Sequence, residues 1–373
     1  MAKAAKAAKP KGKSTLADES MAFLADYINN PSPVGFEWSG QRLWLDYVSR
    51  FVDETFTDPY GTAVGVINPG QPFKVVIEAH ADEISWFVNY ITDSGLIYLK
   101  RNGGVDHQIA PSMRVFIHGK KGLVKAVFGW PAIHTRLGGG EKEQQPKTEN
   151  LWLDCGARSK QEVADLGIHV GAVVTYQDGF DELANDYLIG RAFDNRIGGF
   201  MIAEVGRLLQ ENKKKLPYSL YIVNAVQEEI GLRGAEMIAR RIKPDVAIIT
   251  DVTHDTSTPM INKMIEGDTV CGKGPSLSYG PAVHNKLLQL VQDVAEGAGI
   301  PVQLRAVSRS TGTDTDSFAY ANDGCPSVLI SIPLRYMHTT VEMLHKNDIE
   351  ATIRLMYETL LTLTPKTNLS YFQ

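Results

Sequence analysis

The chain has 373 residues, of which 43% are hydrophobic and 22% are charged, and its formal net charge at pH 7 is −5. This composition is that of a soluble globular protein: no run approaches the roughly 20 apolar residues that a membrane-spanning helix needs, and the negative charge argues against a general nucleic-acid-binding protein. The length exceeds the usual size of one hydrophobic core, so we expect a second domain or a large insertion.

The N-terminal region begins with a basic segment and continues into two predicted helices. Residues 1–15 are rich in Ala and Lys and lack the apolar stretch of a secretory signal, so we interpret them as a flexible leader. Contact with an acidic surface or partner is the alternative. Residues 16–29 and 37–54 have apolar side chains at helical spacing and are separated by the turn-forming sequence NPSPVG. Both helices should flank a sheet whose first clear strand is KVVIEAH, at residues 74–80.

The segment 84–177 has a different pattern. Short alternating runs such as GLIYLK, MRVFIHG and GLVKAVFGW are broken by glycines, which predicts a small all-β unit, either a barrel or a sandwich. Within this segment, the glycine-rich polar stretch 134–150 is interpreted as a mobile surface loop. Because candidate site residues both precede and follow the segment, we expect an insertion into an α/β domain formed by residues 16–83 and 178–365.

The α/β pattern returns after the insertion. A helix with apolar residues at 3.6-residue spacing follows Asp194 and leads to the strand SLYIVNAV, and a second helix ends at Gly297 and Gly299 before the strand PVQLRAV. Strands and helices that alternate in this way predict an α/β fold, with an open mixed sheet flanked by helices. Residues 366–373 resemble a damaged protease-tag remnant, so we place this tail outside the domain.

Ionisable residues of the types that bind metals follow the predicted strands or open the following helix. In an open α/β sheet, ligands bind outside the carboxyl ends of the strands, so these residues should converge on one crevice. Their types are the inventory of a two-metal hydrolase. The residues are His80, Asp82, Asp194, Glu228, Glu229, Asp251 and His338.

The pair formed by His80 and Asp82 fits a metal ligand with a supporting carboxylate. Asp82 could accept the proton of the second imidazole nitrogen and so fix the orientation of His80. Asp194 could be a carboxylate that is simply favoured at a helix N-terminus. A carboxylate shared by two cations is, however, the natural way to hold them roughly 3.5–4 Å apart. Asp251 closes an apolar strand, where a buried carboxylate needs a partner.

The adjacent Glu228 and Glu229 are the most diagnostic pair in the sequence. Neighbouring side chains at a strand end point in different directions, so one can bind a metal while the other faces the water that the metals activate. A solvated acidic turn is the alternative. It is disfavoured because the flanking sequences YIVNAV and GLRGA leave little solvent for two uncompensated charges.

Several segments together resemble the M42 metallo-aminopeptidases, a family that includes glutamyl aminopeptidases and tetrahedral TET peptidases. In chain order they are EAHADEISWFV, GRAFDNRIGG, VQEEIGLRGA, DVTH and PLRYMHTTVEMLH. The likeness runs from about residue 24 to residue 363 and includes SPVGFE, LDCGARSKQEVADLGIHVG and GTDTDSF. It implies a zinc-peptidase-like catalytic domain that removes the N-terminal residue from short peptides.

Transferred position by position, the resemblance implies two divalent metal ions in each subunit. Zn²⁺ is the expected metal, and Co²⁺ or Mn²⁺ would suit the same mixed ligands. Glu228 would be the general base that acts on the water between the metals, and Asp82 would support a ligand. The ligands would be His80, Asp194, Glu229, Asp251 and His338, with Asp194 bridging.

The resemblance also implies an assembly. The inserted β domain would form dimers, and the dimers would build a homododecamer that admits short peptides. Neither nucleic acid nor membrane is expected as a partner. The chain has three cysteines without C-x-x-C spacing, which favours a reducing compartment over a disulfide scaffold and predicts a cytoplasmic protein.

The turn TGTDTDS and the end of the last strand are predicted to contribute to substrate binding. For Asp314 and Asp316, we interpret the side chains as stabilising the turn through local hydrogen bonds, and a role in the substrate pocket is the alternative. The seven histidines other than His80 and His338, among them His254, are interpreted as ordinary surface, capping or loop residues. The predicted substrate-binding residues are Gly312, Thr313, Asp314, Arg335 and Tyr336.

Two further functions are kept as alternatives. The first is another two-metal amidohydrolase or a carboxypeptidase, which would use the same cluster. The second is a non-catalytic assembly protein that retains the fold. Such a protein should lose at least one ligand or the general base, and every one of those residues is present in this sequence.

Overall fold

The computed structural model of the protein describes residues 16–136 and 145–372. Within them, an eight-stranded mixed sheet and its flanking helices pack together around one hydrophobic core. A closed six-stranded barrel encloses a second core. This confirms the predicted fold class. The predicted leader at 1–15 lies outside the described residues, as does the part of the predicted surface loop between residues 137 and 144.

Strands predominate between residues 54 and 190, and helices and strands alternate between residues 193 and 334. The helices are α1 Asp18–Asn29, α2 Trp38–Val48, α3 Lys160–Asp165, α4 Phe193–Glu211, α5 Arg233–Ile242, α6 Lys263–Glu266, α7 Asn285–Ala298, α8 Thr315–Ala319 and α9 Lys346–Thr362. The first nine strands are β1 Glu54–Thr57, β2 Ala63–Ile67, β3 Lys74–His80, β4 Ser85–Ile91, β5 Ile97–Asn102, β6 Arg114–Gly119, β7 Gly122–Gly129, β8 Trp152–Asp154 and β9 Val173–Tyr176. The remaining strands are β10 Asp181–Glu182, β11 Tyr187–Gly190, β12 Ser219–Ala225, β13 Val246–His254, β14 Ser276–Tyr279, β15 Gln303–Ala306, β16 Ser327–Leu334 and β17 Glu342–His345.

The large sheet has the strand order β1-β2-β12-β3-β13-β16-β14-β15. Its four central strands, β12, β3, β13 and β16, are parallel, and their continuous apolar sequences are buried on both faces. Antiparallel pairs join β1 to β2, β2 to β12 and β14 to β16. Because the central strands run in one direction, their carboxyl ends meet at one edge of the sheet, and this edge carries the candidate site.

Helix α4 lies between the sheet and helices α1, α2 and α9. Nearly all of its residues are buried, including Phe200 and Met201, which explains the dense apolar pattern that predicted it. Its first turn begins at Phe193 and therefore holds Asp194 at the carboxyl edge of the sheet. None of the described helices, α4 included, combines the length and the apolar character that crossing a membrane requires.

The predicted helix at 37–54 is too long at its C-terminal end, because the structure ends α2 at Val48. The chain turns so that the side chain of Val52 packs directly on Gly65 of β2, where an added Cβ atom would lie 2.9 Å from Val52. The backbone N–H of Asp53 then donates to the carbonyl of Val66 at 2.8 Å. Strand pairing therefore replaces the helix at the residues where the apolar spacing alone favoured its continuation.

The closed barrel has the strand order β4-β5-β8-β7-β6-β9 and encloses its own apolar core. Trp86 and Phe128 lie inside it in an edge-to-face arrangement, with ring centroids 5.5 Å apart. All of its strands lie within the segment 84–177, between the end of β3 and the start of α4. The all-β unit is thus a barrel and not a sandwich.

The segment predicted as a tail contacts the N-terminal end of α7. The ring of Tyr371 stacks on His284, with centroids 4.5 Å apart. The backbone N–H of Asn285 donates to the Tyr371 hydroxyl at 3.1 Å, and Lys286 Nζ donates to the carbonyl of Ser370. The tail therefore packs on the α/β domain through Leu369, Ser370 and Tyr371, whereas Phe372 is exposed.

Candidate metal centre

The predicted ligands meet at the carboxyl edge of the central strands. His80 Nε2 lies 3.3 Å from Asp194 Oδ1 and 4.0 Å from Asp251 Oδ1. His338 Nε2 lies 3.3 Å from Asp194 Oδ2 and 3.2 Å from Glu229 Oε1. Residues that are far apart in the sequence are therefore brought within the distance that a single ion can span.

Among the described residues, three groups present ligand atoms that all lie within 4.8 Å of one another. Imidazole nitrogens and carboxylate oxygens make up every group, and this donor set suits Zn²⁺, Co²⁺ or Mn²⁺. The groups are His80 with Asp194 and Asp251, His80 with Glu228 and Glu229, and Asp194 with Glu229 and His338.

Asp82 is fully buried and holds the turn that carries the glutamate pair. Its Oδ1 accepts the backbone N–H of Glu228 at 3.0 Å, and its Oδ2 accepts the backbone N–H of Glu229 at 3.1 Å. His80 Nδ1 lies 3.3 Å from Asp82 Oδ1 but outside hydrogen-bond geometry. The carboxylate therefore positions the glutamates through hydrogen bonds and faces His80 as a neighbouring charge.

Glu342 is a supporting carboxylate that the sequence did not reveal. It is 2% exposed and accepts the backbone N–H of Asp194 at 3.0 Å and that of His338 at 2.8 Å. Strand β17 brings it there by pairing with β11, where Glu342 lies opposite Gly190. One side chain thus ties the start of α4 to the loop that carries His338.

Gly104, which follows β5 in the barrel segment, contacts His338 directly. Its carbonyl oxygen lies 3.1 Å from His338 Nδ1. Because a carbonyl only accepts hydrogen bonds, Nδ1 must carry a proton, so Nε2, which faces Asp194 and Glu229, is the nitrogen that would bind a cation. A Cβ atom at position 104 would lie 2.8 Å from the imidazole ring, so glycine is required for this approach.

Non-glycine residues with left-handed backbone angles lie beside the ligands. The φ angle is 61° at Ala192, 59° at Gln227, 59° at Tyr336 and 61° at His338. Such conformations typically cost about 1–3 kcal/mol each and persist only where the surrounding structure imposes them. They occur at three separate chain segments around the cluster, and other non-glycine residues, such as Asn68 and Lys243, adopt the same conformation elsewhere.

The cluster has more buried negative charge than its histidines can balance. Burial raises the pKa of Glu228 to about 10 and raises that of Asp251 well above its ordinary value. Burial opposes the charge of His338, yet the carboxylates of Asp194 and Glu229 raise its pKa to about 11. Divalent cations would relieve this imbalance, so the charge and the donor types both fit a metal centre.

The cleft above the cluster has a volume of about 310 Å³, and Gly312 and Thr313 line it as predicted for substrate-binding residues. Asp314 is only 1% exposed, and this burial leaves no surface for a substrate contact. Asp314 also makes no capping hydrogen bond for α8. Asp316 does stabilise the turn, because it accepts the backbone N–H of Thr311 at 3.0 Å.

The other two predicted substrate-binding residues lie outside the lining of this cleft. Arg335 Nε donates to Asp255 Oδ2 at 2.8 Å, and its guanidinium lies 5.0 Å from the ring centroid of Tyr187. These contacts direct Arg335 towards Asp255. Tyr336 is 47% exposed and lies two residues before His338.

Comparison with known proteins identifies the family. Residues 61–355 match the sequence model of the M42 glutamyl aminopeptidases. The chain belongs to the M42 family. This confirms the resemblance inferred from the motifs, and it makes the chain a peptidase of a metal-dependent family, in agreement with the cluster of ligand types.

Known relatives of the M42 chain cover almost its whole length. The lysyl aminopeptidase of Pyrococcus furiosus is 31% identical over 339 residues, which are 91% of this chain and 96% of the relative. A TET aminopeptidase from the marine sediment archaeon Thaumarchaeota archaeon SCGC AB-539-E09 superposes with a TM-score of 0.89 at 30% identity, over 94% of this chain and 98% of that one. The TET1 peptidase of Pyrococcus horikoshii, which can assemble into a tetrahedron or a large octahedral shell, superposes with a TM-score of 0.81 at 26% identity, over 91% of this chain and 98% of that one.

Two further residues of the M42 chain line the cleft although the sequence did not mark them. His254 is the last residue of β13, three positions beyond Asp251, and Arg305 lies in β15 at the edge of the sheet. His254 stands at the carboxyl edge of the central strands, whereas β15 runs in the opposite direction to them. The rule that located the ligands could therefore have located His254, but it does not apply to Arg305.

Proposed function

We propose that the enzyme is a two-metal aminopeptidase that hydrolyses the first peptide bond of short peptides. The observation that carries this proposal is the position of Asp194 between two histidines. Its Oδ1 lies 3.3 Å from His80 and its Oδ2 lies 3.3 Å from His338. One carboxylate thereby offers a separate oxygen to each of two cations.

The three candidate groups cannot all be metal sites at once. His80 faces the cluster through Nε2, which has a single lone pair and can bind only one cation. A carboxylate has two oxygens and can be shared. We therefore assign one site to the group that joins His80 to Asp251 and the other to the group that joins Glu229 to His338, with Asp194 common to both.

This assignment leaves the carboxylate of Glu228 without a metal. Glu228 lines the cleft beside the ligands, and its Oε2 lies 3.8 Å from His80 Nε2. The metals, for which we propose Zn²⁺, with Co²⁺ or Mn²⁺ as alternatives, would act as Lewis acids and make a water nucleophilic near neutral pH. Glu228 would take the proton from the attacking water and return it to the leaving amine.

A substrate panel combined with metal analysis tests this function. The purified protein should contain close to two divalent cations for each chain and should cleave unblocked aminoacyl chromogenic substrates. N-acetylated versions of the same substrates should not be cleaved, and chelation should abolish the activity. Cleavage of N-blocked peptides from their C-terminal end would instead indicate a carboxypeptidase. An absence of hydrolysis from metal-loaded protein on all substrates would favour a non-catalytic assembly protein.

We also propose that the inserted domain at 84–177 carries subunit contacts and that dimers build a homododecamer. Apolar side chains are exposed around a groove of about 500 Å³ between the barrel and the N-terminal helices. Trp38 is 69% exposed, Leu123 is 55% exposed and Phe36 is 43% exposed. Contiguous apolar surface of this kind is typical of an interface, and the related TET1 peptidase assembles into large shells.

Light scattering tests the assembly. The protein should have a mass that is a multiple of the 41.1 kDa chain, and each interface should bury more than about 1,000 Å². A Leu123→Glu change should lower the mass, because it places a charge on the apolar surface. A stable monomer with full aminopeptidase activity would contradict the assembly and leave the metal chemistry unaffected.

The cysteines are consistent with the proposed cytoplasmic location. Cys155, Cys271 and Cys325 all have free thiols. Burial raises the pKa of Cys325 to about 12, so its thiol is unreactive at neutral pH. Unpaired thiols of this kind suit a reducing compartment.

A further inference from the structure

One wall of the cleft carries a permanent positive charge that the proposed chemistry does not use. Arg305 lies in the edge strand β15 and lines the cleft together with the metal-ligand cluster. Among the described residues that line the cleft, it is the only lysine or arginine. His254 and Thr313 also line the cleft and add polar groups.

The guanidinium of Arg305 forms no hydrogen bond or ion pair with another of the described residues. Its Nε is buried, and no described residue forms a hydrogen bond with it. Burial lowers the pKa of Arg305, and the charge of Glu266 acts in the opposite direction without forming an ion pair. An arginine retains its charge even when burial lowers its pKa, and a buried donor without a partner is unfavourable. The side chain therefore has the properties of a group that is completed by a ligand.

The carboxylates nearest the reaction are unsuited to complete it. Asp194, Glu229 and Asp251 are assigned to the metals, and the catalytic role of Glu228 requires a free carboxylate. A planar guanidinium binds a carboxylate through two parallel hydrogen bonds. A carboxylate of the peptide is thus the complementary partner that the cleft lacks.

We infer that Arg305 is a specificity residue that binds a carboxylate of the peptide substrate, an inference that rests on the proposed aminopeptidase function. The carboxylate can come from an acidic side chain at the first residue or from the C-terminus of a dipeptide. A lysine at the first residue would meet the like charge of Arg305. The enzyme should therefore differ in preference from the lysyl aminopeptidase to which it is 31% identical.

Kinetics on matched aminoacyl p-nitroanilides test the inference. The wild-type enzyme should have a kcat/KM for the Glu substrate at least about 10-fold above that for the isosteric Gln substrate, and Lys should be the poorest substrate. Arg305→Gln should lower the Glu-to-Gln ratio by roughly 10- to 100-fold, the range expected for loss of hydrogen bonds to a charged group. Most of the change should be in KM. Arg305→Lys, which keeps the charge but loses the planar fork, should recover part of the ratio.

Arg309 provides the matched control, because it is an exposed arginine four residues further along and does not line the cleft. Arg309→Gln should leave the Glu-to-Gln ratio unchanged. Metal content and circular dichroism of each variant should match those of the wild-type protein. A misfolded Arg305→Gln protein would be recognised in this way, and Arg305→Lys would then carry the test.

The two sources of the carboxylate are separated with Leu-Gly and its C-terminal amide. If Arg305 binds the C-terminus, Arg305→Gln should slow hydrolysis of Leu-Gly but not that of the amide, and the Glu-to-Gln ratio should be unaffected. An equal effect of Arg305→Gln on Glu, Gln, Lys and dipeptide substrates would overturn the inference. Failure of the wild-type enzyme on every unblocked substrate would instead overturn the proposed function.

Discussion

Replacing Glu228 by Gln should lower turnover by roughly 10²- to 10⁴-fold without changing the metal content, because the change removes a general base and no ligand. The carboxylate of Glu228 lines the cleft, and assigning His80 to a single cation leaves Glu228 free. Gln has the same shape as Glu, and the backbone N–H at this position still donates to Asp82. The turn should therefore keep its conformation.

Glu229→Gln is the matched control for this prediction. Glu229 is adjacent in the sequence and is held by the same carboxylate, but its Oε1 lies 3.2 Å from the His338 imidazole. Its replacement should lower both the bound metal and the activity. Turnover should be measured together with metal content by elemental analysis. Metal loss from the Glu228 variant, with metal retained in the Glu229 variant, would exchange the roles of the two glutamates.

The ligand cluster could be anticipated from the sequence because a simple topological rule connects strand ends to a common edge. His80 ends β3, Asp251 lies near the end of β13, and Glu228 follows β12 after a short turn. The apolar runs before these residues are unambiguous, so the strands could be placed with small error. Their parallel arrangement then forces the side chains together even though the sequence contains no direct information about distance.

The supporting residues could not be anticipated in the same way. Glu342 acts through hydrogen bonds to two backbone N–H groups, one of which belongs to Asp194, 148 residues earlier in the chain. Gly104 acts through its carbonyl, a group that every residue possesses, and its contact with His338 spans 234 residues. Such contacts depend on how β17 and the barrel pack against the catalytic cluster. No local sequence pattern predicts that packing.

Arg305 was missed for a different reason. A guanidinium does not bind cations, and the strand PVQLRAV runs in the opposite direction to the central strands, so neither the ligand types nor the strand-end rule indicate Arg305. By contrast, Arg335 was predicted to bind substrate, and the structure directs its side chain to Asp255 instead. Arg335, three residues before a predicted ligand, thus points away from the cleft that Arg305 lines.

Removal of the shared carboxylate should have the broadest effect on the metal centre. Asp194→Ala should reduce bound metal from close to two cations to less than one for each chain, and activity should fall below detection. The reason is that each proposed site loses a ligand at once, through Oδ1 beside His80 and Oδ2 beside His338. The hydrogen bond from the backbone N–H of residue 194 to Glu342 does not depend on the side chain, so the start of α4 should keep its position.

Two matched variants test whether the effect of Asp194→Ala comes from the loss of a ligand shared by both metals. Asp251→Asn should remove one cation and retain the other, because Asp251 belongs to only one of the two proposed sites. Asp82→Asn should weaken metal binding by only roughly 10- to 100-fold, because Asp82 orients the site without being a ligand. Isothermal titration of the metal-free variants with Zn²⁺ measures the number of sites and their affinities. If Asp194→Ala still bound one cation with wild-type affinity, Asp194 would serve a single metal, and the two-metal proposal would lose the observation that carries it.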